Sequence, residues 1–352
     1  MNQQFIGTKP ISENFFDKDK LEDFLKKNVY DFSGNLNIEQ FKGGQSNPTF
    51  KITANEKNYV IRRKPPGKLL PSAHAVDREY KVISALRDTN VPVPKAYCLC
   101  EDESIIGTMF YVMDFVDGIV LWDQTLPGYS PKQREKIYQQ MNYVISELHK
   151  VDYKKIGLED YGKPGNYISR QISRWTKQYR ASETEKIESM EYLMNWLPEN
   201  IPDDEMVSIV HGDFRMDNLV FNKAGTEILA VLDWELSTLG HPLADFAYHS
   251  MYWRLTAQEF RGIKGEDLSS LGIPSEDNYV EMYCKSIGIN YINNWDFYMA
   301  YNMFRLAGIL QGIMGRVVDG TATSAHALEQ GKKAKLMADA GWEQVKKIKG
   351  AF

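Results

Sequence analysis

Residues 211–220 read HGDFRMDNLV, and residues 232–245 read LDWELSTLGHPLAD. The first run gathers charged and amide side chains immediately before an apolar, strand-like stretch at 219–221. Asp213 and Asn218 lie on the loop that this stretch anchors. Loops held by rigid strands carry reactive groups well, because the scaffold fixes where their side chains point. The pattern therefore predicts a functional site at this loop.

A second strand-like run ends at Asp233. If residues 219–222 and 228–233 pair as a hairpin, Asn218 and Asp233 come to the same end of it. An amide oxygen and a carboxylate are hard ligands that suit Mg²⁺, which usually keeps water and phosphate as its other ligands. Asp213 then remains to accept a proton from a hydroxyl group. The alternative is that these residues only form turns, since Asp and Asn favour turns through local hydrogen bonds.

The order HxDxxxxN, a short strand pair and an Asp at the end of the second strand is more specific than any single residue. It resembles the catalytic loop and metal-binding aspartate of the aminoglycoside phosphotransferase and choline kinase superfamily, whose fold is similar to that of protein kinases. The resemblance implies an α+β, bilobal protein-kinase-like fold with a small β-rich N-terminal lobe and a larger, mainly helical C-terminal lobe. It also implies a role for each matched residue: Asp213 as catalytic base, Asn218 and Asp233 as metal ligands, His211 as a structural support, and Asp245 as a brace of the loop.

A glycine-containing segment, GGQSNPTF at 43–50, lies between two strand-like runs early in the chain. A loop that covers phosphates needs small residues, so that backbone N–H groups can approach the phosphate oxygens. A plain β-turn is the alternative. The position one hairpin before a basic strand favours a phosphate-binding loop formed by Gly43, Gly44, Gln45, Ser46 and Asn47.

The basic strand is YVIRRKPPG, in which alternation points Arg62 and Arg63 to opposite faces. Glu79 falls inside the apolar stripe of a predicted helix, where a carboxylate is costly unless it is paired. We choose Arg62 as its partner. Kinase-like folds pair a strand Lys with a helix Glu to position nucleotide phosphates, and this sequence departs from them by having Arg. Arg keeps the charge and can bind phosphate through two N–H groups. The registry between Arg62 and Arg63 stays open, as does the alternative of two surface arginines.

The run YVMDFVDG at 111–118 resembles the hinge between the lobes of kinase-like folds. The resemblance implies that backbone groups near Asp114 and Val116 meet the edge of an adenine. Apolar strand residues that only pack in a core are the alternative. The sequence pattern is mostly strand-like before this run and mostly helical after it. This change predicts an N-terminal nucleotide-binding lobe at 1–116 and a C-terminal catalytic and substrate-binding lobe at 117–352.

Apolar periodicity predicts the remaining elements. Strands are expected at 49–53 and 58–63, within PKAYCLCED and GTMFYVMDFVDG, and in the pair NLVFN and EILAVLDW. Helices are expected over 17–29, 72–90, 130–152, 166–195, 277–287, 296–316 and 323–348.

Composition narrows the function classes. With 43% hydrophobic and 25% charged residues, the chain is typical of a globular protein, and its net charge of −5 gives no basic field for nucleic acid. No apolar run approaches the about 18–20 residues that cross a bilayer, so we expect no membrane association and a cytoplasmic location. The three cysteines lack metal-binding spacing and are expected to be buried or half-buried thiols. The oligomeric state stays open.

The leading interpretation is an ATP- and Mg²⁺-dependent small-molecule kinase that transfers the γ-phosphoryl group to a hydroxyl acceptor. VIRRKPPG, HGDFRMDNLVF and LDWELSTLGHPLADFAYH more closely resemble the phosphotransferase domain fused to some acyl-CoA dehydrogenases. That resemblance implies an acyl or hydroxyacyl acceptor rather than an aminoglycoside. Two alternatives stay open: a nucleotide-binding pseudokinase or regulatory scaffold, and a metal-dependent hydrolase that uses His211, Asp213 and Asp233.

Overall fold

An antiparallel sheet of six strands forms the N-terminal part of the chain. The computed structural model describes residues 7–12, 15–30, 32–42, 47–65, 75–322, 324 and 326–348. Within these ranges the strands of the sheet are β1 (Thr8–Pro10), β2 (Leu36–Phe41), β3 (Thr49–Ala54), β4 (Lys57–Arg63), β5 (Ala96–Cys100) and β6 (Phe110–Asp114). Their order in the sheet is β1-β2-β3-β4-β6-β5, and each neighbouring pair is antiparallel. The predicted hairpin at 49–63 is therefore confirmed, whereas β1 and β2 were not predicted.

Each face of the sheet packs in a different cluster of buried apolar residues. Helix α1 (Lys18–Asn28) contributes Leu21 and Leu25 to a cluster that contains Ile61 of β4. Val60 of β4 faces the other way, into a larger cluster with helix α2 (Val76–Leu86). The alternation predicted for β4 is thus confirmed, and it sends Arg62 to the side of the sheet on which α2 lies.

The C-terminal part is mainly helical. Its helices are α3 (Pro131–Lys150), α4 (Tyr167–Ala181), α5 (Glu188–Glu199), α6 (Pro242–Ser250), α7 (Ala257–Phe260), α8 (Leu268–Leu271), α9 (Glu276–Ile287), α10 (Trp295–Val318), α11 (Ala327–Gly331) and α12 (Ala334–Val345). Every residue of α10 from Phe297 to Gly308 is buried, so this helix is surrounded by its neighbours and forms the centre of the helical core. In the part of the chain that the structure describes, no helix has both the length and the apolar composition of a membrane span.

Two short ladders carry the loop that the sequence singled out. Strands β7 (Ile119–Val120), β9 (Leu219–Phe221) and β10 (Ile228–Val231) form a small sheet in the order β10-β9-β7. Strand β8 (Ser208–Val210) pairs with β11 (Thr238–Gly240). Because β8 precedes the loop at 211–218 and β9 follows it, both ends of the loop are anchored in antiparallel pairs.

Two predicted helices are each two helices in the structure. The predicted helix at 166–195 is interrupted between α4 and α5, where Ser182 ends α4 and turns its hydroxyl back onto the Gln178 carbonyl oxygen. Such local side-chain bonding competes with helix continuation. The predicted helix at 323–348 is likewise divided into α11 and α12. The α+β class itself is confirmed.

Gly118 allows the first strand of the small sheet to approach β9. A Cβ atom on Gly118 would lie 2.3 Å from the Phe221 carbonyl oxygen, which is backbone and cannot rotate away. We predict that Gly118→Ala lowers the free energy of unfolding by about 1–3 kcal/mol, the usual cost of overpacking. Gly312 in α10 is the matched control, since a Cβ there meets no atom within 4 Å. Gly312→Ala should raise stability by about 0.5–1 kcal/mol through helix propensity. Chemical denaturation of both variants measures the difference, and equal effects would contradict the packing argument.

Candidate active site

Asn218 and Asp233 meet at one end of the β9–β10 hairpin. Leu219 pairs with Val231, and the backbone N–H of Leu232 donates to the Asn218 carbonyl oxygen at 2.8 Å. Asp233 follows directly with a left-handed φ of 64°, an uncommon conformation for a residue other than glycine. The geometric prediction for these two residues is confirmed, and the left-handed turn marks Asp233 as a constrained position.

Asp213 joins them through Asn218. The Asn218 side-chain Nδ2 donates to the backbone oxygen of Asp213 at 2.8 Å and to its carboxylate Oδ2 at 3.0 Å. Because Nδ2 is used in this way, the amide oxygen Oδ1 of Asn218 is the atom left to act as a ligand. The loop residue, the amide and the hairpin-end carboxylate are therefore grouped as the sequence predicted.

Asp245 holds the backbone of the loop. Its Oδ2 accepts a hydrogen bond from the His211 N–H at 2.8 Å, and its Oδ1 accepts one from the Gly212 N–H at 2.8 Å. The His149 ring nitrogen Nε2 lies 3.2 Å from Oδ2. Burial by itself would raise the pKa of Asp245, but the hydrogen bond and charge of His149, with His211, lower it below its usual value. Asp245 therefore remains ionised and braces the loop, as expected.

His211 ties the loop to the strand that precedes Asp233. Its Nδ1 accepts the Asp213 N–H at 3.2 Å, and its Nε2 lies 2.9 Å from the Leu232 carbonyl oxygen, to which it donates. The ring also packs 4.8 Å from that of Trp234, and the Trp234 indole donates to the Val231 carbonyl oxygen. Both ring nitrogens are thus engaged by the protein, which supports the structural role expected for His211.

Arg62 connects the sheet, helix α2 and the hairpin end. Its Nε lies 2.8 Å from Glu79 Oε2, and one terminal nitrogen lies 2.5 Å from Asp233 Oδ1 and 3.8 Å from Glu235 Oε2. Burial by itself would lower the pKa of Arg62, but Glu79 and Asp233 raise it above its usual value, so the guanidinium stays charged. The predicted pairing of Arg62 with Glu79 is confirmed.

Arg63 occupies the opposite face of β4. One of its terminal nitrogens donates to the Ile106 carbonyl oxygen at 3.0 Å, and its guanidinium lies 5.1 Å from the ring centroids of Phe15 and Phe16. This environment belongs to the core behind the sheet, away from Asp233. The structure therefore decides the open registry in favour of Arg62.

The other predicted nucleotide contacts are placed in part. Gly43, Gly44, Gln45 and Ser46 lie outside the described residues. Asn47 is buried, and its Nδ2 donates to Glu79 Oε1 at 2.9 Å and to Glu235 Oε2 at 3.3 Å. The end of the predicted phosphate loop therefore lies against the Arg62–Glu79 pair.

The structure narrows the set of backbone groups that are available at the predicted hinge. The N–H of Asp114 donates to the Lys95 carbonyl oxygen at 2.9 Å, because Asp114 is the last residue of β6, and its carboxylate accepts the Tyr97 hydroxyl. The Asp114 N–H is therefore not free for an adenine. Its carbonyl oxygen and the backbone of Val116 remain as candidates, and Val116 forms no backbone hydrogen bond within the described ranges.

Three neighbours of the loop were not assigned from the sequence. Tyr248 donates its hydroxyl to Asp213 Oδ1 at 2.6 Å, Arg215 Nε lies 3.1 Å from the same oxygen, and Arg305 donates to the Gly212 carbonyl oxygen. Tyr248 follows Asp245 by three positions on α6, so the two side chains lie on the same face of the helix. This spacing is the sequence signal that could have placed Tyr248 at the loop. Arg305 comes from α10, and no local pattern connects it to the loop.

The ligand set suits a hard cation shared with phosphate. No group of three or more His, Cys, Asp or Glu side chains that could hold a metal occurs within the ranges that the structure describes. One amide oxygen and one carboxylate match the preference of Mg²⁺ for few protein ligands and additional phosphate oxygens. The residues present therefore fit a magnesium–phosphate site better than a protein-only metal cage.

Comparison with known proteins agrees with this geometry. A family model described as the phosphotransferase enzyme family matches residues 37–279, which include the predicted site residues. Acyl-CoA dehydrogenase family member 10 of Mus musculus is 47% identical over 341 residues, or 96% of this chain. Those residues are only 32% of the mouse protein, so the chain spans about a third of that relative.

Solved structures agree as well. An inferred aminoglycoside phosphotransferase from Ralstonia eutropha JMP134 is 56% identical with a TM-score of 0.88, covering 94% of this chain and 99% of that one. A thermostable variant of aminoglycoside phosphotransferase APH(4)-Ia, in a ternary complex with ADP and hygromycin B, is 16% identical with a TM-score of 0.60 and covers 92% of this chain and 98% of its own. The second likeness concerns the fold alone, and it agrees with the expected bilobal architecture.

The expected resemblance and enzyme class are thereby confirmed. The family model matches residues 37–279, and the chain covers 99% of a solved structure to which it is 56% identical. The chain therefore belongs to the phosphotransferase enzyme family.

Proposed function

We propose that the protein is an ATP- and Mg²⁺-dependent small-molecule kinase that transfers the γ-phosphoryl group of ATP to a hydroxyl group. The observation that carries the proposal is the convergence of Asp213, Asn218 and Asp233 with the Arg62–Glu79 pair. A base, two hard ligands and a buried cation at one place are the parts that phosphoryl transfer needs, because its catalysis is mainly positioning and charge stabilisation. The ADP complex of the structurally similar APH(4)-Ia supports a nucleotide in this fold.

The N-terminal sheet is the proposed nucleotide side of the site. In this assignment residues 1–116 form the nucleotide-binding lobe and residues 117–352 the catalytic and substrate-binding lobe. The adenine lies near the Asp114 carbonyl oxygen and the Val116 backbone, and Arg62 binds phosphate oxygens. Arg62 can do so while Glu79 holds its Nε, since the guanidinium offers several N–H groups in a fixed plane.

Asn218 and Asp233 are the proposed ligands of Mg²⁺. Held by these two residues, Mg²⁺ would supply positive charge that offsets the charge developing on the phosphate oxygens. Asp233 Oδ1 lies 2.5 Å from a terminal nitrogen of Arg62. The carboxylate proposed to bind Mg²⁺ is therefore next to the guanidinium proposed to bind the phosphate oxygens. Asn218 reaches Asp213 through its nitrogen, and it can therefore orient the base and offer its oxygen at the same time.

Asp213 is the proposed base. In the reaction the acceptor oxygen bonds to the γ-phosphorus, the bond from that phosphorus to the β–γ bridging oxygen breaks, and the hydroxyl proton passes to the Asp213 carboxylate. The side chain of Asp213 is 18% exposed, so its carboxylate is not sealed in the core. Asp213, Asn218 and Asp233 are all present and grouped, which favours an active kinase over a pseudokinase. A hydrolase using His211 as a ligand is disfavoured, because both of its ring nitrogens already bond to the protein.

For the acceptor we propose an acyl or hydroxyacyl compound that carries a hydroxyl group. Support comes from the 47% identity, over 96% of this chain, to the mouse acyl-CoA dehydrogenase family member.

The base is tested by Asp213→Asn, which keeps the shape of the side chain and removes its basicity. We predict a fall of about 10²- to 10⁴-fold in phosphoryl transfer, the range that general-base catalysis supplies, with ATP affinity nearly unchanged. A metabolite extract with γ-¹⁸O-labelled ATP and Mg²⁺, read by mass spectrometry, measures transfer, and calorimetry measures ATP binding. Asp204→Asn is the control, because Asp204 also accepts a buried tyrosine hydroxyl. Full activity of Asp213→Asn would show that Asp213 is not the base.

The phosphate contact is tested by exchanging each arginine of β4 for lysine. Arg62→Lys keeps the charge but cannot reach Glu79 and Asp233 together, so KM for ATP should rise about tenfold or more, as expected for a lost charge-assisted hydrogen bond. Arg63→Lys should leave KM for ATP unchanged and lower Tm, since it loses its stacking on Phe15 and Phe16. Steady-state kinetics and thermal unfolding separate the two effects. The reverse pattern would transfer the phosphate contact to Arg63.

The metal ligand is tested by Asp233→Asn. We predict that the Mg²⁺ concentration for half-maximal binding of a non-hydrolysable ATP analogue rises about tenfold or more, because a ligating charge is lost. Calorimetric titrations of the analogue at a series of Mg²⁺ concentrations measure it. Asp233→Asn also weakens the ion pair with Arg62. If Tm falls while the Mg²⁺ dependence stays the same, Asp233 is only a partner of Arg62 and not a metal ligand.

A further inference from the structure

Tyr248 lies against the carboxylate of Asp213. The Tyr248 hydroxyl donates to Asp213 Oδ1 at 2.6 Å, and the side chain is 3% exposed. Burial and the Asp213 charge raise the pKa of Tyr248 well above its usual value, so the phenol keeps its proton and acts as the donor. A buried, short hydrogen bond to an ionised group is among the stronger polar contacts in a protein.

The two oxygens of Asp213 have different partners. Oδ1 accepts the Tyr248 hydroxyl and lies 3.1 Å from Arg215 Nε, whereas Oδ2 accepts Asn218 Nδ2 at 3.0 Å. A carboxylate on a single rotatable bond has a broad torsional preference, so its plane is set by such partners. Each carboxylate oxygen has two lone pairs, and Oδ2 therefore keeps one for an acceptor hydroxyl.

Tyr248 is itself held from two sides. The guanidinium of Arg305 lies 4.8 Å from the centroid of its ring, and the same guanidinium donates to the Gly212 carbonyl oxygen. On α6, Asp245 precedes Tyr248 by three positions and binds the backbone of the loop at His211 and Gly212. One helix thus fixes both the loop backbone, through Asp245, and the catalytic carboxylate, through Tyr248.

We propose that Tyr248 is the positioning residue of the catalytic base: its hydroxyl fixes the plane of the Asp213 carboxylate so that Oδ2 faces the acceptor hydroxyl. This inference rests on the proposed kinase function, in which Asp213 takes the hydroxyl proton. A general base must lie within hydrogen-bond reach of the proton it removes, and a small displacement of a reacting group costs up to about 10²-fold in rate. The role therefore concerns the chemical step and not nucleotide binding.

The test is Tyr248→Phe, which removes one oxygen and keeps the ring over Arg305. We expect kcat for transfer from γ-¹⁸O-labelled ATP to fall about 10- to 100-fold, with KM for ATP and the affinity for ATP unchanged within about twofold. The product followed is whichever phosphorylated metabolite the wild-type protein forms in the extract. The thermal midpoint is measured for each variant.

Tyr298→Phe is the matched control. Tyr298 is also fully buried, and it donates its hydroxyl to a carboxylate, Asp204 Oδ1, at 2.7 Å. Tyr298→Phe removes a hydrogen bond of the same kind that does not involve Asp213. We therefore expect kcat to stay at the wild-type value even if Tm falls as much as in Tyr248→Phe.

Each other outcome overturns one identifiable statement. Wild-type kcat in Tyr248→Phe removes the positioning role, as does an equal loss of kcat in Tyr248→Phe and Tyr298→Phe, which would reflect stability alone. A rise in KM for ATP at unchanged kcat would place Tyr248 in nucleotide binding and also overturn the inference. If the wild-type protein labels no metabolite although it binds ATP, the kinase proposal fails, and the positioning role that rests on it fails with it.

Discussion

The burial of Arg62 is the constraint on which the rest of the site depends. Its side chain is only 10% exposed, and taking a charged guanidinium out of water is costly unless carboxylates surround it. Glu79 comes from α2, and Asp233 and Glu235 come from the turn that follows β10. Removing one partner from a buried pair typically costs about 3–5 kcal/mol, because the other charge is left uncompensated. The N-terminal sheet, helix α2 and the β9–β10 hairpin are therefore coupled through one side chain.

A second set of contacts holds the loop that carries Asp213. The Asp245 carboxylate, ionised and buried, accepts two backbone N–H groups of the loop, and His211 links the same loop to the Leu232 carbonyl oxygen. Buried polar groups of this kind are stable only when each has its partners, which makes the arrangement nearly all-or-none. Asp213 is thus presented by a loop with little conformational freedom, a condition for catalysis by positioning.

Sequence reasoning predicted the contacts between residues that are close in the chain, and it did not predict the contacts between distant elements. The spacing of Asp213, Asn218 and Asp233 around a strand pair predicted their grouping, because a two-strand hairpin brings known positions to one end. Strand alternation and the cost of an unpaired Glu79 selected Arg62 correctly. The contact of Arg305 with the Gly212 carbonyl oxygen could not be predicted, since α10 reaches the loop only through the packing of the helical core. Which backbone groups near Asp114 are free could not be predicted, because the partner of its N–H, the Lys95 carbonyl oxygen, depends on how β5 and β6 pair. Ser182 shows why long helices were overestimated: apolar periodicity continues across a break that local hydrogen bonds create.

Further contacts hold the two segments next to Arg62 in place. Trp234 is anchored by its indole to the Val231 carbonyl oxygen and packs on His211, which holds the segment after Asp233 in place. Helix α2 is fastened to the helical part through Arg78, which donates to the Tyr161 carbonyl oxygen and stacks on the Tyr161 ring. Moving either segment would expose or unpair these buried groups, at a cost of about 1–3 kcal/mol for each one left without a partner. Arg62, Glu79 and Asp233 are therefore joined before any substrate arrives. In the proposed kinase, nucleotide and acceptor would therefore bind to a site in which α2 and the turn after Asp233 are already in place.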